Sequence, residues 1–288
     1  MKTLGNKKIG VVGVGNMGAS ILEGVLTRNL ATPSRIWVYD KAVNKARSFA
    51  RQHHVQEASS VAELLKKTDV VLLAMKPQDF ASFALEHRFS FRPGSCDPGT
   101  LAKPCGFRLR RPGQIVISIL AGMTTEKITK ALGKNVTVVR AMPNLGAKVG
   151  QSMTVICGKS RTGLSFAETL FAGCGEVIIL PEKMLDLVTA ISGSGPAYFF
   201  HLMELLTDFG VKQGLPPKIA GVLAVQTGLG AALLAKSSRE SCADLRQRVT
   251  SKKGTTEAAL KTLQHGKFGK IFQRALAAAM NRSRQLRK

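Results

Sequence analysis

Apolar residues fall along this chain in two regimes. In the first, short continuous apolar runs recur at residues 9–12, 35–40, 69–75, 114–119, 135–140 and 152–157, and stretches of helical period stand between the early ones at 19–26, 44–53 and 61–67. Strands apolar on both sides and separated by helices indicate a parallel sheet covered on both faces. After a last strand signal at 176–180 the pattern changes to long helical stretches at 182–191, 196–213, 217–237, 257–264 and 268–286, several with Pro in the first turn, a position helices tolerate. The pattern predicts an α/β, doubly wound sheet over residues 1–160 and an all-helical domain over 161–288. Residues 86–112 fit neither regime. They carry Pro93, Pro98, Pro104 and Pro112, two cysteines and six Lys or Arg with no period, and read as an irregular surface loop, longer than compact domains usually carry.

The longest apolar helical stretch, 219–235, is near the lower limit for a membrane span. It contains Gln226, Thr227 and three glycines, so it is expected to be a buried core helix rather than a membrane segment. The start of the chain is polar and its first apolar run is short and glycine-broken, so no signal peptide is expected. Five scattered cysteines without a C-x-x-C pair point to free thiols in a reducing, cytoplasmic setting. Cys96 and Cys105 share the 86–112 loop but lack neighbouring histidines, which disfavours a metal pair.

The formal net charge is +24. The excess sits in residues 101–160 and 239–288, with 10 basic against 1 acidic and 13 against 3, whereas residues 161–238 carry 5 against 6. The near-neutral block is also the most apolar, as a buried subunit interface would be. The basic blocks have the charge for a polyanion, but no aromatic-interleaved basic motif accompanies it, so nucleic acid is disfavoured as a partner.

The sharpest local signal is Gly13-x-Gly15-x-x-Gly18, set between the first strand and a helix. Gly13 permits the tight turn, Gly15 lets the backbone approach a pyrophosphate and Gly18 lets helix and strand pack closely, while the helix N-terminus offers N–H groups to the phosphates. This is the dinucleotide-binding arrangement of a Rossmann-type sheet. Asp40, 22 residues past Gly18 at the end of the second strand, can accept ribose hydroxyls; Lys41, Lys45 and Arg47 just beyond offset its charge, so NADPH and NADH both stay open, as does a plain capping role for Asp40. Ala74-Met75-Lys76-Pro77 ends the third strand, at the ligand edge of such a sheet. Ser192-Gly193-Ser194-Gly195-Pro196 reads as a flexible hinge opening a helix, through close packing or an anion contact. The turn Thr250-Ser251-Lys252-Lys253-Gly254-Thr255-Thr256 offers hydroxyls and free N–H groups to a carboxylate, with Thr255 or Thr256 also suited to an N-cap.

Taken in order, KIGVVGVGNMG, IWVYD, LAMKP, ISILAG, RAMPN, SGSGPAYFF, DFGVKQGLP, VTSKKGTTEAAL and GKFGKIF resemble the pyrroline-5-carboxylate reductase family over all but about residues 80–112. The resemblance implies a Rossmann domain followed by an all-α dimerisation domain that interlocks with a second subunit, and hydride delivery from NADPH or NADH to a cyclic imine, giving proline. It implies that Gly13, Gly15, Asn16 and Met17 hold the pyrophosphate, that Asp40 and Lys41 lie by the adenosine ribose, that Ala74, Lys76, Pro77 and Ala121 line the nicotinamide side, and that Asn144 stands beside the cofactor. Ser251, Gly254, Thr255 and Thr256 match the substrate loop, with Thr256 as the hydrogen-bond partner of the ring nitrogen.

Three departures stand against the family pattern. Lys252-Lys253 replaces Pro-Gly in the substrate loop, which strains the backbone if φ is positive at Lys253. Leu145-Gly146 replaces Thr-Pro after Asn144 and is expected to loosen that turn. Residues 86–112 replace an expected amphipathic helix. Two other readings follow from the same residues. One is a decayed, non-enzymatic paralogue with a basic, polyanion-binding surface. The other is a β-hydroxyacid-type dehydrogenase, disfavoured because no Lys stands in the SGSGPAY region.

Overall fold

The computed structural model describes residues 3–86, 113–133 and 135–287. Residues 87–112, including Cys96 and Cys105, lie outside them, so the irregular loop expected there is not described. Among the described residues eight strands form one sheet: β1 (Ile9–Val12), β2 (Ile36–Tyr39), β3 (Gln56–Glu57), β4 (Val70–Leu73), β5 (Ile115–Ser118), β6 (Thr137–Met142), β7 (Ser152–Gly158) and β8 (Gly175–Ile179). Their order is β3-β2-β1-β4-β5-β6-β7-β8. All neighbours are parallel except β6 and β7, which run antiparallel. The parallel sheet expected from the apolar runs is therefore present except at that pair. β6 and β7 are joined by residues 143–151, too short for a parallel crossover.

The helices are α1 (Asn16–Thr27), α2 (Val43–His53), α3 (Val61–Lys67), α4 (Phe80–Glu86), α5 (Thr125–Leu132), α6 (Arg161–Ala172), α7 (Leu185–Val188), α8 (Gly195–Lys212), α9 (Pro217–Ser237), α10 (Cys242–Arg248), α11 (Thr255–His265) and α12 (Phe268–Leu286). Successive strand side chains point to opposite faces, and both faces are covered. Val11, Val38, Leu72, Ile117 and Val139 pack with residues of α1, α2 and α6. Val12, Val71, Leu73, Val116 and Val138 pack with residues of α3, α4 and α5. This double cover is why β1, β4 and β5 read as unbroken apolar runs.

Two compact units result. One comprises Met1–Gly193 with Asn281–Lys288, the other Ser194–Met280. The helical body expected from residue 161 begins at Ser194, because α6 packs on the sheet and β8 extends it beside β7. The Ser192–Pro196 hinge is a π-helical turn, Thr189–Gly193, leading into α8, an irregularity common at functional sites. In the second unit α8 and α9 approach closely at Gly210, where a Cβ would lie 3.1 Å from that of Ala220, and at Gly228, where it would lie 2.7 Å from the Met203 terminal methyl. Tyr198 meets Phe272 edge to face at 5.6 Å.

The expectation that α9 is a buried core helix is corrected: within the chain it buries Ala220 and Ala224, while Val222, Leu223, Leu229 and Leu233 are about half exposed, as are Phe199, Phe200 and Phe209 of α8. Such an apolar expanse on a monomer marks a surface that something covers. By length and composition alone α9 could also cross a membrane.

Gly24 of α1 tests the packing of the first unit. A Cβ there would lie 2.6 Å from the Gly173 carbonyl oxygen. Backbone cannot move aside as a side chain can, so Gly24→Ala is expected to cost about 1–3 kcal/mol of stability, read as a lowered midpoint in urea unfolding.

Candidate functional site: a glycine cradle and a hydroxyl turn

The C-terminal ends of the parallel strands deliver most of the expected residues to one edge of the sheet: Gly13 after β1, Asp40 after β2, Ala74 to Pro77 after β4, Ala121 after β5 and Asn144 after β6. The glycines differ in what they do. Gly13, at φ 102°, is pressed on the next strand end, where a Cβ would stand 2.8 Å from the Ala74 carbonyl carbon. A Cβ on Gly18 would overlap the Gly13 carbonyl oxygen. Gly15 has open space where its Cβ would be. It precedes α1, whose start has no side-chain cap and no acidic residue in the first turn. The N–H groups of Asn16 and Met17 thus head an uncapped helix beside an open glycine, a cradle that fits a pyrophosphate.

The cradle is tied to β2. The Gly13 N–H donates to the Tyr39 carbonyl at 2.8 Å and the Val14 N–H to Asp40 Oδ2 at 2.9 Å. Asp40 Oδ1 accepts the Ala42 N–H at 2.9 Å. Asp40 therefore holds the loop, a role that the motif spacing does not reveal. Lys41 is paired with Asp79 at 2.7 Å, and that hydrogen bond is the main cause raising its pKa. Arg47 faces Glu57 at 3.5 Å. Lys76 is exposed at the start of the 3₁₀ turn Pro77–Asp79.

Asn144 is firmly held. Its Oδ1 accepts the Gly146 N–H at 3.0 Å, and its Nδ2 donates to the Ser192 carbonyl and Oγ, both at 3.2 Å. A Cβ on Gly146 would lie 2.5 Å from the Gln151 carbonyl oxygen, so glycine there permits the tight return. The looseness expected from Leu145-Gly146 is corrected. The structure also joins two motifs that sequence reading kept apart, the MPN turn and the serine–glycine hinge.

In the second unit Ser251, Gly254, Thr255 and Thr256 share one turn. The Gly254 N–H donates to the Ser251 carbonyl at 3.0 Å, and Gly254 is the N-cap of α11, without a side-chain cap. The N-cap role open to Thr255 or Thr256 is thus not taken. Lys253 stands at φ 60°, the strained position foreseen for it. Its N–H donates to Glu257 Oε2 at 2.6 Å, while Lys261 pairs with Oε1 at 3.1 Å. These two donors, Lys261 first, hold the Glu257 carboxyl below its ordinary pKa.

No set of three or more His, Cys, Asp or Glu among the described residues is grouped to hold a metal ion. Burial pushes the thiols of Cys157 and Cys174 up to about 12 and about 11, so both are neutral near pH 7 and unsuited to nucleophilic chemistry.

A Rossmann-ordered sheet with an open glycine cradle, followed by a helical unit, defines a nicotinamide-dependent oxidoreductase of the two-domain kind. Comparison narrows the class. Residues 182–286 match the family description "Pyrroline-5-carboxylate reductase dimerisation", and residues 8–90 match "NADP oxidoreductase coenzyme F420-dependent". The pyrroline-5-carboxylate reductase of Pseudomonas aeruginosa is 35% identical, over 97% of this chain and 96% of its own. That of Arabidopsis thaliana is 33% identical over 97% and 95%. The structure of the Coxiella burnetii enzyme superposes with a TM-score of 0.84 at 33% identity, over 98% and 99% of the two chains. The Plasmodium falciparum enzyme, solved with NADP bound, gives 0.81 at 26% identity, over 98% and 99%. The chain belongs to the pyrroline-5-carboxylate reductase family.

Two substitutions probe these features. Gly15→Val fits the open space without disturbing the fold, so it is expected to leave the melting temperature unchanged while cofactor binding is lost, read by NADPH fluorescence titration. Lys253→Gly removes a left-handed non-glycine residue and is expected to stabilise the protein by about 1 kcal/mol, seen as a raised unfolding midpoint.

Proposed function

We propose that this protein reduces 1-pyrroline-5-carboxylate to L-proline with NADPH or NADH, the last step of proline biosynthesis. The observation that carries this reading is the presence in one chain of an open glycine cradle and a hydroxyl-bearing turn at an uncapped helix start. When bound, the nicotinamide supplies a hydride to the C=N carbon of the imine, and the ring nitrogen carries the proton that makes the imine electrophilic.

The chain's own residues have the tasks of holding and orienting. Gly13, Gly15, Asn16 and Met17 receive the pyrophosphate on backbone N–H groups. Asp40 and Lys41 border the adenosine ribose. Ala74, Lys76, Pro77, Ala121 and Asn144 line the nicotinamide side. Ser251, Gly254 and Thr255 take the substrate carboxylate, and the Thr256 hydroxyl bonds to the ring nitrogen. A protonated imine needs position more than acid catalysis, which a hydroxyl and backbone donors supply.

The functional division follows the two regimes of the sequence, with cofactor binding in the first and substrate binding and dimerisation in the second. The exposed apolar faces of α8 and α9 are assigned to the subunit contact. The described cysteines, Cys157, Cys174 and Cys242, are free thiols, which supports a cytoplasmic setting, and neither nucleic acid nor a membrane is needed by the reading.

Purified protein given pyrroline-5-carboxylate should consume NADPH or NADH, followed by the loss of cofactor absorbance; a folded dimer that oxidises neither overturns the proposal. Thr256→Ala should lower turnover roughly tenfold, the scale of one lost hydrogen bond, with the affinity for NADPH unchanged.

A further inference from the structure

The last residues of the chain, 281–288, belong to the sheet-bearing unit, and they meet it at the turn between β5 and α5 and at α7. Gly122, buried and at φ 75°, lies in the turn between β5 and α5; a Cβ on it would overlap the Leu286 carbonyl oxygen. The Lys127 ammonium, in the first turn of α5, donates to the Arg287 carbonyl. Below this contact Asp186 of α7 is 2% exposed. Its Oδ1 accepts the Ser283 hydroxyl at 2.9 Å, and its Oδ2 pairs with the Arg287 guanidinium at 2.6 Å. A buried carboxylate retained with a guanidinium and a hydroxyl is a fixed anchor, because removing the guanidinium leaves a buried charge without compensation.

The same turn is gripped from its other end. The Thr125 N–H and Oγ donate to the Glu182 carboxylate at 2.8 and 2.6 Å. That carboxylate also faces the fully buried Arg140 at 3.4 Å. Two ion pairs, each with one buried partner, thus back the contacts that hold the segment from Gly122 to Lys127 on both sides. Ala121, next to the clamped glycine, stays exposed. A short turn needs no such double anchorage for folding alone, since Thr124 already caps α5 by accepting the Lys127 N–H.

We propose that the C-terminal turn Ser283–Arg287, fixed on Asp186, is a positioning element that sets where Ala121 stands against the nicotinamide ring. The inference rests on the reductase reading above, in which Ala121 lines that ring. Ser283, Leu286 and Arg287 are not among the residues assigned above to cofactor or substrate. They act through Gly122, and a misplacement of the reacting ring by about 1 Å is enough to slow hydride transfer a hundredfold.

The test uses the full-length dimer carrying Arg287→Ala, and a chain ending at Gln285. Both are expected to lower kcat roughly tenfold, leave KM for pyrroline-5-carboxylate unchanged, and raise the primary isotope effect measured with deuterated NADPH as hydride transfer becomes limiting. Arg287→Lys should recover most of the loss, and Arg282→Ala, whose guanidinium bonds Gln285 and not Asp186, should behave as the parent. Amide exchange over residues 119–127 should quicken in Arg287→Ala. Quickened exchange with unchanged kcat and isotope effect would reduce the turn to a fastening for α12 and overturn the proposal, as would unchanged exchange. If the parent itself oxidises no cofactor, the reductase reading fails; NADPH affinity, expected to weaken in Arg287→Ala, and the exchange rates then still decide whether the clamp acts on the cofactor pocket.

Discussion

The architecture depends on how closely three pieces of backbone approach one another at the head of β1. Gly13 lies against the Ala74 carbonyl and Gly18 against the Gly13 carbonyl. A methyl group at either position would push α1 off the sheet or the first strand off the fourth. Asp40 completes the arrangement by bonding the Val14 N–H. The cradle is therefore a rigid product of packing on all sides but one, and Gly15 is that side. The open space is preserved because the neighbouring glycines are consumed by contact.

The second unit obeys a different constraint. Its helices pack on each other through glycine at Gly210 and Gly228, and leave much of their apolar surface facing outward. The near-neutral charge of residues 161–238 within a chain of net charge +24 suits a surface that a second subunit covers, since like charges would oppose association. The family's dimerisation match over residues 182–286 agrees with that physical reading.

Much of this was legible in the sequence, for reasons that differ by element. β1, α3, α9 and α12 have the boundaries that their apolar runs and capping residues indicate. α5, α6 and α10 are missing from the apolar pattern above, although α6 buries Gly163, Phe166, Ala167, Leu170 and Phe171 at helical spacing and α5 buries Ile128 and Leu132. Their sequence signal was capping chemistry: Thr124, Ser160 and Ser241 each bond the N–H three residues on. The reversal of β7 depends on connection length, which a strand signal does not carry. At the site, the glycine spacing and the hydroxyl turn could be read directly, and so could the cost of Lys253 once its left-handed φ was supposed. The partners of Asp40, Lys41 and Asn144 were not legible. Those bonds join residues 26, 38 and 48 positions apart, and one sequence carries no mark of which distant groups meet. The same holds for Asp186, an ordinary acidic residue in a short helix until Ser283 and Arg287 arrive from the end of the chain.

The hold of Asp40 on the glycine loop bears on how this enzyme could change coenzyme over evolutionary time. Related folds switch between phosphorylated and unphosphorylated adenosine by exchanging the acid that ends the second strand. Here that acid fastens the glycine loop, so its removal would loosen the turn at Gly13 and Val14. Divergence is channelled instead toward the exposed side chains just downstream, Lys45 foremost, where charge can be gained or lost without loosening the turn that every dinucleotide must occupy.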